Sequence, residues 1–260
     1  MSQGNYEGIS IREAVEKINN IANGWYLPQI QRQYVWGSRD SSEEYVCLLL
    51  DSLLRRFPIG GLVLWETDAP VPYREFLGDY RPGAVARIVP EERWGYHKSL
   101  VYDGQQRLQT LYTVLFHEFN GRVLYFDLCF NRESAEPDET GFFFKDASEP
   151  APEFSISLMH LMGLRDDSSE KVTLLAKWMG ETRLDECQRK VVLANLDALW
   201  NVFVARDVKS ISYFPVKAMD DGAVNEVFRR LNTGGVPLTQ LEMVLAKIKE
   251  AEPYFEPDIN

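Results

Sequence analysis

A β-type run passes directly into a helical repeat between residues 100 and 119, and this transition constrains the fold more than any other segment. Residues 100–102 are apolar and typical of a strand, whereas apolar side chains from Leu108 onward recur every three or four positions, as on one helix face. At a strand-to-helix turn, the first N–H groups and the positive end of the helix dipole point outward. The sequence therefore predicts helices together with strands, and an anion-binding position at this turn.

The remaining pattern predicts an α+β protein in two parts. Residues 1–150 alternate strand-like and helical segments, and Ser10 with Glu13 predicts a capping box that begins the first helix. Residues 66–98 hold four prolines and are expected to form an insertion or a β-hairpin excursion. Residues 151–260 carry mainly helical stripes, so we place a boundary near residue 150.

Composition excludes several classes of protein. No apolar run reaches the length of a membrane span and the start lacks a leader pattern, so we expect a cytoplasmic protein without membrane contact. The net charge of −11 disfavours non-specific nucleic-acid binding by the whole surface, although a local basic groove is compatible with it. Cys47, Cys129 and Cys187 are expected to be buried free thiols, and the scattered histidines argue against a transition-metal centre.

The polar residues 103–107, called the pentad below, have two interpretations. In the simpler one, Asp103 caps the helix, Gln106 completes a variant capping box and Arg107 is solvated. That interpretation does not explain why Gln105, Gln106 and Arg107 follow one another. On a first helical turn their amide and guanidinium donors would lie beside unpaired N–H groups, which suits a phosphate. Because one residue can cap a helix and also face a ligand, both interpretations stay open.

Two further loops carry weaker signals of the same kind. Gln31 and Arg32 precede Trp36, which suggests a second phosphate-binding arginine beside a ring that could stack on a base. The alternative is a surface loop with Trp36 in the core. Residues 232–235 read Asn-Thr-Gly-Gly, which allows a close backbone approach to a ligand, or simply ends a helix.

Four segments of the chain, taken in order, resemble the GmrSD-type restriction family, and within it the N-terminal GmrS-like domain. The resemblance runs from about Ile9 to Ile248, and it is carried by residues 27–36, 53–64, 103–111 and 228–238. It implies a ParB/sulfiredoxin-like fold in the N-terminal part. It also implies nucleoside triphosphate binding and hydrolysis within a bacterial anti-phage system that attacks modified DNA. Ile30 and Gln109 differ from the residues that are usual in the family, so the exact substrate preference does not follow from the resemblance.

On this resemblance the pentad is the signature of the triphosphatase. Asp103 would position Mg²⁺ or water, Gln105 or Gln106 would orient the attacking water, and Arg107 with Arg32 would hold phosphates. The expected cofactor is Mg²⁺ with a nucleoside triphosphate, GTP or ATP first. The nucleotide-binding residues would be Gln31, Arg32, Trp36, Gly104, Asn232, Thr233 and Gly234.

The expected partner is an HNH-type nuclease, as a further domain or a separate subunit. His97, His117 and His160 do not have the spacing of such a nuclease centre, so this chain is not expected to cut DNA by itself. One alternative is a module that recognises modified DNA through clusters such as residues 55–56 and 229–230, or that acts as a nucleotide switch without hydrolysis. Another is an interaction scaffold, and the oligomeric state stays open.

Overall fold

The computed structural model describes residues 5–29, 34, 42–217 and 223–224. The strands are β1 (Glu7–Ile9), β2 (Trp25–Pro28), β3 (Leu62–Thr67), β4 (Tyr73–Arg74), β5 (Lys98–Asp103), β6 (Arg122–Asp127), β7 (Phe142–Asp146), β8 (Ser155–Ser157) and β9 (Ile211–Val216). The α-helices are α1 (Ile11–Lys17), α2 (Ser42–Leu54), α3 (Gln105–Phe116), α4 (Leu158–Gly163), α5 (Ser168–Met179) and α6 (Glu186–Leu199). A 3-10 turn (Glu91–Arg93) and a π-helical turn (Trp200–Val204) complete these elements. The predicted combination of helices and strands is confirmed.

Within these described residues, six strands form one mixed sheet in the order β1-β9-β3-β5-β2-β4. The pair β2 and β5 is parallel, as is the pair β3 and β9, and the other neighbours are antiparallel. A second, antiparallel sheet has the order β7-β6-β8. Since parallel β2 and β5 end at the same edge of the large sheet, the chain leaves both strands beside the start of α3.

The two faces of the large sheet bury different apolar sets. On one face, Leu64 and Val101 pack in the main core, together with Val15 of α1 and Leu108 of α3. The opposite face contributes a smaller core: Tyr26, Trp65, Tyr73, Val89, Leu100, Val216 and Val224. Helix α3 also contacts α1, α4 and β6. The helix that follows the pentad is therefore held on several sides.

Local sequence signals set the ends of α1. The Ser10 Oγ accepts from the N–H of Glu13 at 3.2 Å, and the Glu13 carboxylate accepts from the N–H of Ser10 at 3.1 Å. The predicted capping box is confirmed. The helix ends at Lys17, and Asn19 then takes a positive φ of 56°.

The excursion predicted for residues 66–98 is present and contains hairpin-like pairing. The N–H of Val89 donates to the carbonyl of Tyr73 at 2.9 Å, and that of Glu75 to the carbonyl of Arg87 at 2.9 Å. Lys98, where the chain rejoins the sheet, is fully buried. Its ammonium group lies 5.1 Å from the centre of the Tyr73 ring.

Beyond residue 150 the chain is mainly helical as far as residue 204 and then returns to the large sheet. Strand β9 pairs with both β1 and β3, so this later segment completes a sheet that the earlier segments build. The boundary near residue 150 stays a prediction. The two helices expected at residues 223–231 and 240–249 lie outside the described residues, apart from residues 223 and 224.

The three thiols are unpaired but differ in exposure. Cys47 is buried in α2, Cys129 is half-buried, and Cys187 is exposed on the first turn of α6. The expectation of burial is therefore wrong for Cys187, whose helix packs against the core through later residues such as Val192 and Leu196. In the part of the chain that the structure describes, we find no helix with the length and apolar character of a membrane span.

Candidate functional site

The pentad forms a strand-to-helix turn, as the sequence predicts, but its cap differs from the expectation. Asp103 is still the last residue of β5, and Gly104 stands at the N-cap position of α3 with φ 86° and ψ 10°. The predicted capping box of Asp103 and Gln106 is wrong, because pairing of Asp103 with Val63 keeps it in the strand. A Cβ on residue 104 would lie 2.2 Å from Leu62 Cδ2, so only glycine fits this left-handed position.

The start of α3 therefore carries a glycine cap rather than a side-chain cap. Gly104 itself offers no side-chain hydrogen bond to the first turn of this helix. The first helical bond runs from the N–H of Leu108 to the carbonyl of Gly104 at 3.0 Å. The N–H groups of residues 105–107 precede that bond and lie at the positive end of a 12-residue helix. This is the local geometry that favours an anion.

Arg107 lies at this turn, but its guanidinium binds backbone. Nη1 donates to the carbonyl of Ile59 at 2.5 Å and Nη2 to that of Gly61 at 3.0 Å. Nη2 also lies 3.5 Å from Oδ2 of Asp103. Burial lowers the pKa of Arg107 from its ordinary value, and the Asp103 carboxylate opposes that shift. The sequence suggested a guanidinium directed at phosphate, and the structure instead directs it at the turn formed by residues 59–61.

The other pentad side chains differ in exposure and direction. The Asp103 side chain is 55% exposed and is the most accessible charged group at the turn. Gln105 is half-buried, and its Nε2 donates back to the carbonyl of Val101 at 2.7 Å. Gln106 is half-buried beside it. Asp103, Gly104 and the first turn of α3 are thus brought together at one sheet edge.

The parallel partner strand ends at the same edge. Tyr26 of β2 pairs with Leu100 of β5, and Gln29, just after β2, is 5% exposed. The hydroxyl of Tyr34 lies 2.6 Å from Oγ1 of Thr110 in α3. Gln29 and Tyr34, the nearest described residues on either side of Gln31 and Arg32, therefore both belong to this region. The predicted residues Gln31, Arg32, Trp36, Asn232, Thr233 and Gly234 lie outside the described residues.

Sequence reasoning missed two features of the region. Gln109 is 3% exposed, accepts from the N–H of Leu77 at 2.9 Å and donates to the carbonyl of Leu77 at 2.7 Å. Through this pair of hydrogen bonds, Gln109 ties α3 to the excursion. The second feature is the turn at residues 59–61, where adjacent Gly60 and Gly61 were the available signal but gave no indication of the contact with Arg107.

The comparison with known families decides the wider assignment. The family model for the GmrSD restriction endonuclease, N-terminal domain, matches residues 11–249. The chain belongs to this family. The sequence-based assignment is confirmed, and this GmrSD N-terminal domain is part of a restriction system. No curated protein matches the chain.

The donor set of this GmrSD domain bears on which metal it could hold. Among the residues that the structure describes, no three His, Cys, Asp or Glu side chains are grouped as a metal site. Asp103 contributes one exposed carboxylate at the turn. Magnesium ions are commonly bound through one or two carboxylates with waters and substrate phosphates. Asp103 thus fits a site in which one carboxylate would hold a magnesium ion together with substrate phosphates.

Proposed function

We propose that this domain binds a nucleoside triphosphate with Mg²⁺ and hydrolyses it, and that it regulates the nuclease of its restriction system. The nuclease would be a further domain or a separate HNH-type subunit. The observation that carries the proposal is the start of α3, where the glycine-capped N-terminal end of the helix lies beside the exposed Asp103 in a GmrSD N-terminal domain. The ParB/sulfiredoxin-like fold of residues 1–150, with residues 151–260 as a mainly helical part, belongs to the same proposal.

The roles follow from the groups at the turn. The N–H groups of residues 105–107 would bind a phosphate, because they precede the first hydrogen bond of α3. Asp103 would hold Mg²⁺, which supplies charge neutralisation for the phosphates. Gln105, fixed by its bond to Val101, or the adjacent Gln106 would orient water for attack on the terminal phosphate. Such a reaction needs positioning and charge more than a protein nucleophile.

The first test is a thermal-shift series with ATP, GTP, CTP and UTP, each with and without Mg²⁺. A ligand of the native state at 100 times its Kd stabilises it by about 2.7 kcal/mol, so a true ligand must raise the Tm. We expect at least one triphosphate to do so only with Mg²⁺. If none of the four changes the Tm in the full chain, the proposal is wrong.

The second test assigns the effect to the site. Asp103→Asn removes the carboxylate charge at the turn, and Asp138→Asn is its control on an exposed loop position. We expect Asp103→Asn to lose the Mg²⁺-dependent shift and to lower phosphate release by at least tenfold, while Asp138→Asn keeps both. Equal phosphate release by the two variants would contradict the role of Asp103.

The alternatives give different results in the same assays. A nucleotide switch would show the Mg²⁺-dependent shift without phosphate release. A modified-DNA module would bind DNA with an affinity that falls as salt rises. Arg55, one of the arginines suggested for that role, is paired with Asp51 at 2.5 Å and also donates to the carbonyl of Glu139 at 3.2 Å. These contacts favour a structural role for Arg55, so the triphosphatase remains the better-supported proposal.

A further inference from the structure

We infer that Arg107 is a positioning residue, which joins the turn at residues 59–61 to the start of α3 and thereby fixes Asp103. The inference rests on the nucleotide site proposed above and assigns its arginine a different task. In place of direct phosphate contact, the guanidinium organises the edge of the sheet on which the site is built.

The contacts of the guanidinium match this task. Its two terminal nitrogens reach two carbonyls of one turn, Ile59 O and Gly61 O, at 2.5 and 3.0 Å. A planar guanidinium suits such paired acceptors better than an ammonium does. The Arg107 side chain is only 17% exposed, so these carbonyls and the Asp103 carboxylate compensate for the water it has lost. The N–H groups that make these two bonds could contact a phosphate only if the guanidinium left the turn.

Two glycines leave the space that the guanidinium occupies. Gly60 has φ 86°, and a Cβ there would lie 2.7 Å from Nη1 of Arg107. A Cβ on Gly104 would lie 3.3 Å from Nη2, in addition to its clash with Leu62. The backbone of Gly60 therefore lies too close to the guanidinium for an added Cβ, and the backbone of Gly104 leaves only a tight space.

The contact between Arg107 and the turn at residues 59–61 completes a ring of contacts around Asp103. The turn at residues 59–61 leads into β3, and Val63 of β3 pairs with Asp103 of β5. Arg107, four residues further on, binds that same turn and lies 3.5 Å from the Asp103 carboxylate. The backbone of Asp103 is thus fixed by β3, and its side chain faces a guanidinium that the same segment holds. Loss of Arg107 would release both the turn and the carboxylate.

Gly60→Ala tests this arrangement because it displaces the guanidinium without changing any pentad side chain. Its matched control is Gly83→Ala, since Gly83 has φ 82° and an added Cβ there meets nothing within 4 Å. Both variants carry similar backbone strain, but only one presses on Arg107. We expect Gly60→Ala and Arg107→Ala to lower the kcat of triphosphate hydrolysis by at least tenfold and within about threefold of each other, while Gly83→Ala retains the wild-type rate. Gly60→Ala with wild-type turnover, alongside an inactive Arg107→Ala, would overturn the inference.

A double-mutant cycle tests action through Asp103. If Arg107 works by positioning that carboxylate, Asp103→Asn with Arg107→Ala should be no more than about threefold slower than Asp103→Asn alone, because coupled residues are not additive. Effects that multiply would overturn the positioning role. Arg107→Lys keeps the positive charge but not the planar guanidinium with its paired N–H donors. This variant should recover only part of the kcat.

Amide hydrogen exchange separates this inference from the proposed function. If the wild type hydrolyses none of the triphosphates, the proposed function fails, and the positioning role is decided by exchange alone. We expect faster exchange at residues 59–63 and 103–107 in Arg107→Lys and Gly60→Ala than in the wild type and Gly83→Ala. If exchange at both segments is unchanged in these variants, Arg107 does not hold the turn at residues 59–61 against the start of α3.

Discussion

Lys98→Met should destabilise the protein strongly, because Lys98 is fully buried at the end of the proline-rich excursion. Its ammonium donates to the carbonyls of Ala69, Trp94 and Tyr96 at 2.8, 2.5 and 3.2 Å. These bonds fasten both ends of the excursion to the first residue of β5, the strand that ends at Asp103. Methionine keeps the volume of the stem and removes the charge and all of its donors.

The magnitude follows from these contacts. A hydrogen bond to a charged group contributes about 1.5–3 kcal/mol, so three independent bonds would contribute roughly 4.5–9 kcal/mol. The three bonds share one ammonium, and its loss also ends the cost of burying a charge, so we expect a net loss of about 2–4 kcal/mol. At about 2–4 °C per kcal/mol for a chain near this size, the Tm should fall by about 4–16 °C.

The assay is thermal and urea unfolding of the wild type and two variants. Lys190→Met is the control, since the Lys190 side chain is 75% exposed and pairs only with Glu186 of the same helix at 2.9 Å in the described structure. Such a surface pair is worth about 0.3–0.5 kcal/mol, so the Tm of the control should stay within about 1–2 °C of the wild type. If Lys98→Met also stays within that range, the three carbonyl contacts do not stabilise the excursion as argued.

Two further predictions concern ionisation. The hydrogen bond from Lys209, the largest cause, lowers the pKa of Glu13 from its usual 4.5 to about 2, so its stabilising contribution is present above pH 4.5 and is lost as the pH falls towards 2. Urea unfolding should therefore show Glu13→Gln less stable than the wild type at pH 7, with a smaller difference at pH 3; a constant difference would contradict this linkage. Burial raises the pKa of the Cys47 thiol to about 12, whereas Cys187 is exposed. Iodoacetamide at pH 7.5 should label Cys187 in the native protein and Cys47 only after unfolding, and mass spectrometry showing equal rates would refute the burial of Cys47.

Local sequence patterns predicted the elements that depend on neighbouring residues. The capping box of Ser10 and Glu13, a strand before the pentad and a helix after it all follow from side-chain period and cap residues. The family assignment also came from sequence, because its motifs are runs of adjacent residues. The one-residue error in the cap arose because pairing with β3, a distant strand, extends β5 to include Asp103.

Tertiary structure alone decided what the polar side chains contact. Arg107 binds carbonyls 46 and 48 residues away, and Gln109 binds Leu77 across 32 residues. Strand β9 joins β1 and β3 from the far end of the described chain. Side-chain type and spacing show that a guanidinium is available at this helix start, but its partner depends on which backbone segments the sheet brings to the same edge. The sequence thus proposed the candidate site, and the packing of distant turns determined which pentad groups remain exposed.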